Sequence, residues 1–195
     1  MKTTDGVQNR KPYVKTIEQA RDFVLEVRLC SVFSDRSGKL PSLWDVVDYP
    51  EKQPGESGWG QKVSAVWTWK NELPARFPDD VFYGKIKGGR AVLMAVAYLR
   101  ETHYPATHVP IENCSPLAQE LYRAIRLDAM RTAELRESVG MAEKSVRNRF
   151  ERALVELQVT LNIARLNDPD ADGDTWVPFS EQYLDVVEAD PAGPA

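Results

Sequence analysis

The stretch "ELRESVGMAEKSVRNRFERAL", residues 134–154, places Lys144, Ser145, Arg147 and Asn148 within five positions. Their chemistry is recognition. Arg offers a planar fork of donors that matches O6 and N7 of guanine, and Asn pairs with N6 and N7 of adenine. Lys and Ser reach base edges or phosphate, and Arg131, Arg136 and Arg152 lie close enough along the chain to serve as phosphate contacts beside them. A second group combines Trp67 and Trp69, rings on which a base can stack, with the cations Lys70 and Lys85.

Each group also has a plainer reading. Glu143 precedes Arg147 by four and Glu156 follows Arg152 by four, the spacing of ion pairs on a solvated helix face. Trp44, Trp59, Trp67, Trp69 and Tyr83 equally describe an aromatic core. Residues suited to bond making are few. His103 and His108 are the only histidines and have no third metal ligand at a recognisable spacing, so they read as polar loop residues. Cys30 and Cys114 fit neither a disulfide framework nor a zinc site, and read as thiols in a reducing cytosol. The run Asp168, Asp170, Asp172, Asp174 resembles a calcium loop, but the twelfth position from Asp168 is Phe179 where a bidentate Glu is needed. It reads as an acidic turn. No G-x-S-x-G, P-loop or G-x-G-x-x-G occurs. No catalytic residue, metal or cofactor is expected, and no apolar run is long enough to span a bilayer.

These residues need elements to hold them. Thr16 with Gln19 is a capping box opening a helix in which Ile17, Ala20, Phe23, Val24 and Val27 repeat at helical spacing. "LPSLWDVVDYP" predicts a short second helix, and "WGQKVSAVWTWKNELP" a third that Pro74 closes, with Val63, Val66, Trp67 and Lys70 on one face. Two β-rich runs then flank Gly88-Gly89, a hairpin signal. A loop with three prolines marks a boundary near 105–114.

After it, Ser115 caps and Pro116 begins a helix with Leu117, Leu121, Ile125 and Leu127 as its buried stripe. A helix from a Thr132 cap stops at Gly140, suited to a left-handed C′ position. A third, "AEKSVRNRFERALVELQ", turns Val146, Phe150, Ala153, Leu154 and Leu157 inward. It leaves Lys144, Arg147, Asn148 and Glu151 outward, with Arg149 and Arg152 at the edges. "VTLNIARL" and "TWVPFS" are expected as strands about the Asp-rich turn. Helix, helix, helix, hairpin is the order of a winged helix-turn-helix, and it occurs twice. The predicted organisation is a disordered tail over 1–15, a winged-helix-like module over 16–105, a winged helix-turn-helix over 114–180, and an acidic C-terminal tail over 181–195. The fold class is mostly α with short β-hairpins, an α+β architecture of tandem winged-helix modules.

The net charge of −4 is unevenly spread. Residues 1–114 hold 16 basic against 14 acidic side chains, residues 115–158 hold 8 against 7, and residues 159–195 hold 1 against 8. A nucleic-acid surface must therefore come from arrangement on one face, not from overall excess. Four aspartates at a wing tip would repel phosphate, so that wing is expected to point away from DNA.

The segments "FVLEVRLCSVF", "LPSLWDVV", "WTWKNELP", "VFYGKI", "LYRAIRLDAMRTAELRESVG" and "RFERALVELQ" together resemble the AlkZ-related proteins. These are a bacterial group similar to the AlkZ/YcaQ DNA glycosylases, which unhook alkylated and cross-linked bases using tandem winged helices and a β-barrel. The resemblance spans about residues 17–180. It implies a tandem winged-helix fold and contact with DNA. Those glycosylases carry a Gln-x-Gln or similar motif that positions the attacking water; no Gln-x-Gln occurs here, so no activity is carried over. The expectation is a cytoplasmic, non-catalytic binder of double-stranded DNA, linked to recognition of damaged DNA. The alternatives are a minimal glycosylase with the Trp-rich module as base pocket, and a helix-turn-helix that docks a protein.

Overall fold

The computed structural model describes residues 12–34, 39–55, 57–168 and 173–189. It is a mixed α+β structure with two small antiparallel sheets of three strands each. The described residues of Met1–Tyr83, Arg90–Tyr98 and Asn167–Pro169 form one unit, and those of Gly84–Gly89, Leu99–Leu166 and Asp170–Ala195 form the other. No helix among the described residues is long and apolar enough to cross a membrane.

The first unit begins with α1, Ile17–Val27. The Thr16 hydroxyl accepts from the Gln19 amide at 3.2 Å, while the Gln19 carboxamide oxygen accepts from the Thr16 and Lys15 amides, satisfying donors that the first turn leaves open. Arg28, in the left-handed region at φ 65°, turns the chain into β1, Leu29–Ser31. Next come α2, Leu43–Val46, capped by Ser42, and α3, Gln61–Arg76. Then come β2, Val81–Ile86, of which Gly84–Ile86 belong to the second unit, β3, Arg90–Ala95, and the single turn α4, Val96–Tyr98. β3 is central, in the order β1-β3-β2, with Cys30 opposite Leu93. Ile17, Ala20, Phe23 and Val24 of α1 join Val66, Trp69 and Leu73 of α3, and Cys30 and Leu93 of the sheet, in one apolar core.

The second unit opens with a π-helical stretch, Leu99–His103, then α5, Tyr104–Thr107, and a 3-10 turn, Ile111–Asn113. α6, Pro116–Leu127, is followed by β4, Met130–Arg131, α7, Thr132–Ser138, and α8, Arg147–Val159. β5, Ile163–Arg165, and β6, Thr175–Pro178, complete a sheet of order β4-β6-β5. Two short helices follow, α9, Phe179–Gln182, and α10, Leu184–Glu188. Leu117, Ala118, Leu121 and Ile125 of α6 pack with Leu135, Phe150, Ala153, Leu154, Leu157 and Trp176. Burial of each such Leu, Ile or Phe favours the fold by about 1.5–3 kcal/mol. The Ser115 amide and hydroxyl both donate to the Glu156 carboxylate, at 2.7 and 2.5 Å, which ties the start of α6 to α8.

Both units share one plan. Helix, strand, helix, helix, strand, strand runs through α1-β1-α2-α3-β2-β3 and again through α6-β4-α7-α8-β5-β6. In each, the last strand lies between the other two.

Several local expectations change. Leu127, placed in the buried stripe of α6, is 87% exposed, because α6 ends there and leaves it no facing element. Arg131, not Thr132, is the residue before α7: its amide donates to Glu134, freeing the Thr132 hydroxyl to accept from Trp176 Nε1 at 2.9 Å. Pro74 lies inside α3, which runs on to Arg76 because Leu73 and Pro74 are buried and the Phe77 amide still reaches the Leu73 carbonyl. The helix drawn from 142 starts as a 3-10 turn, Lys144–Val146, and becomes α-helical at Arg147. It extends to Val159, so the strand drawn from there shrinks to β5, and "TWVPFS" divides between β6 and α9. Val14, in the stretch expected to be a tail, is fully buried and pairs with Val47. Past 181, in the stretch expected to be a tail, the chain ends α9 at Gln182 and forms α10 over Leu184–Glu188. Asp170 and Asp172 lie outside the described residues.

Candidate nucleic-acid interface

The order of residues around Gly140 sets the geometry. Gly140 adopts φ 66°, the left-handed conformation that ends α7 without a Cβ penalty. Met141 follows as a buried anchor, and the 3-10 turn leads into α8. Phe150, Ala153, Leu154 and Leu157 bury one side of α8, with Val146 partly buried above them. The helical period then forces Lys144, Ser145, Arg147, Asn148, Arg149 and Arg152 outward, and all six are exposed.

Their partners differ. The Arg147 side chain is 62% exposed and only loosely paired, with Nε 3.9 Å from Glu151. Ser145 donates to Glu143 at 3.2 Å. Among the described residues the side chains of Lys144, Asn148 and Arg152 have no ion-pair or hydrogen-bond partner. Arg136 is committed elsewhere: it is 22% exposed, bonds Glu151 at 3.0 Å, and its guanidinium lies 5.0 Å from the Phe150 ring centroid. It braces α7 against α8. Arg131 grips Glu134 through its guanidinium and its amide, which holds that carboxyl below the usual range. The charge pattern flagged Arg131 and Arg136, but could not tell a braced cation from an available one.

The aromatic group divides. Trp69 is buried in the first core, 6.1 Å from Tyr49, while Trp67, two positions along α3, is 43% exposed and meets Trp59 edge-on at 5.3 Å. Lys70 is buried with its ammonium 4.1 Å from the Trp67 ring and 5.1 Å from Tyr83, and it donates to the Asn71 side chain. Lys85 belongs to the second unit. Burial lowers its pKa, against the raising effect of the Asp174 and Glu151 carboxylates.

His108 stacks on Tyr104 at 4.6 Å, with Nδ1 3.1 Å from the Thr160 carbonyl, and burial lowers the pKa of His103. Cys30 is fully buried and its thiol is pushed up to about 12. No group of His, Cys, Asp and Glu suited to a metal ion occurs among the described residues. Asp174 is bonded by Arg165 at 3.4 Å.

What the arrangement offers is a row of outward donors on the first turns of a helix whose other side is fixed in a core. No curated protein and no solved structure matches the chain. A model of the AlkZ-related family matches residues 14–169, through both units, and the chain belongs to that family.

Proposed function

We propose that this protein binds double-stranded DNA without catalysing a reaction, through α7 and α8 acting as a helix-turn-helix within a winged helix. The observation that carries this reading is the exposure of Lys144, Arg147, Asn148 and Arg152 at the start of α8, opposite the buried Phe150, Leu154 and Leu157. In this mode the N-terminal turns of the second helix approach base edges in the major groove. Arg147 and Asn148 take the base-reading places, and Lys144 and Arg152 the phosphates. The element order and the strand order β4-β6-β5 support a winged helix, and the same plan in the first unit supports a tandem of two. Membership in the AlkZ-related family favours a role in recognising damaged DNA. No constellation for activating water is assigned.

The test is duplex affinity measured at two salt concentrations. A steep loss with salt is expected, since each neutralised phosphate releases counterions. Arg147→Ala should weaken binding by about 1–3 kcal/mol if the fork reads a base. Affinity indifferent to Arg147→Ala and Lys144→Ala together would remove the site.

A further inference from the structure

The two hairpins of the repeated plan differ in charge. By sequence, the segment between β5 and β6 carries Asp168, Asp170, Asp172 and Asp174, whereas Lys85 stands near the end of β2, Lys87 in the β2–β3 turn and Arg90 at the start of β3. Residues Gly84–Gly89 of that basic hairpin belong to the second unit. Its tip is sharp: Gly88 and Gly89 have φ 91° and 74°, and the Gly89 amide closes the turn on the Ile86 carbonyl at 2.9 Å. A Cβ on Gly89 would lie 3.5 Å from Val155 of α8. Val155 follows Glu151 by four positions and Arg152 by three, so the tip meets α8 on the side that carries the outward donors, one to two turns beyond them. Lys85 falls within the fields of Glu151 and Asp174. Lys87 is exposed.

We propose that the β2–β3 tip is a backbone clamp for the same DNA, with Lys87 on a phosphate flanking the segment that α8 reads and Lys85 offsetting Glu151 and Asp174. The clamp deepens the reading of α8 as the DNA-facing helix and rests on it. A phosphate contact carries no base information, so its signature is uniform across sequences and strongly salt-dependent.

The experiment is a salt titration of duplex binding by the full chain, with Lys87→Ala, Lys87→Glu and Arg147→Ala on two unrelated duplexes. Lys87→Ala should lower affinity equally on both and make the slope of log K against log salt shallower by about 0.9. The affinity lost between about 50 and 200 mM salt should then be about 3.5-fold smaller than for the unaltered chain. Lys87→Glu should weaken binding further. Circular dichroism should be unchanged for both, because Lys87 sits exposed in a turn. If the unaltered chain binds with steep salt dependence and responds to Arg147→Ala, but Lys87→Ala and Lys87→Glu keep its slope, the clamp is overturned while α8 stands. If the unaltered chain shows no salt-dependent affinity, both fall.

Discussion

Removing the Glu156 carboxylate should loosen α6 from α8, and the size of the effect can be worked from two hydrogen bonds. The Ser115 amide donates to Glu156 Oε1 at 2.7 Å, and the Ser115 hydroxyl donates to Oε2 at 2.5 Å while accepting from the Ala118 amide at 3.3 Å. Hydrogen bonds to a charged acceptor contribute about 1.5–3 kcal/mol each, and partial burial places these near the lower figure. Glu156→Ala should therefore cost about 3 kcal/mol. Ser115→Ala loses the hydroxyl bond and the cap, about 1.5 and 1 kcal/mol. In the Ser115→Ala background, Glu156→Ala removes only the amide bond. The double variant should then fall short of the sum of the singles by about 1.5 kcal/mol, the share of the hydroxyl–carboxylate bond. Urea unfolding read by hydrogen exchange of the α6 and α8 amides isolates the second unit from the first. Singles that add to within about 0.5 kcal/mol would refute the argument.

Gly140→Ala should destabilise the second unit by about 1 kcal/mol in urea melts; the space around its Cβ is open, so the cost is backbone strain at φ 66° alone. Cys30 has a folded pKa of about 12 against 9.0 for the free thiol, so its contribution to stability is intact below pH 9 and erodes as pH rises towards 12. Over that window the loss is about 1.4 kcal/mol per pH unit, and Cys30→Ala should flatten the alkaline limb of the stability curve. Trp67→Ala should cost about 1–2 kcal/mol in a thermal melt despite the exposure of the ring, because the buried Lys70 ammonium loses the face it rests on. An unchanged midpoint would show that Tyr83 and Asn71 suffice for Lys70.

How much could be read in advance followed the range of the interactions. Thr16 with Gln19, Ser115 with Pro116, and Gly140 are decided within one turn of chain, and the structure places caps and the left-handed residue where the sequence put them. The outward face of α8 followed from the period of Phe150, Ala153, Leu154 and Leu157. β1 and β4 carried no such signal, because three and two residues respectively become strand only by pairing with β3 and β6 far along the chain. The separation of Trp67 from Trp69 follows from helical geometry, yet two tryptophans two positions apart read as one cluster in a list of types. Arg136 looked like a phosphate contact because its stacking on Phe150 and its bond to Glu151 form only after α7 folds back on α8.

The assignment of Gly84–Gly89 to the second unit makes that unit discontinuous in the chain. A fragment starting at Leu99 would leave Val155 uncovered and Glu151 and Asp174 without the Lys85 charge near them. A cut in the β2–β3 connection would be felt as greater mobility at α8, although Gly89 and Val155 are 66 positions apart in sequence.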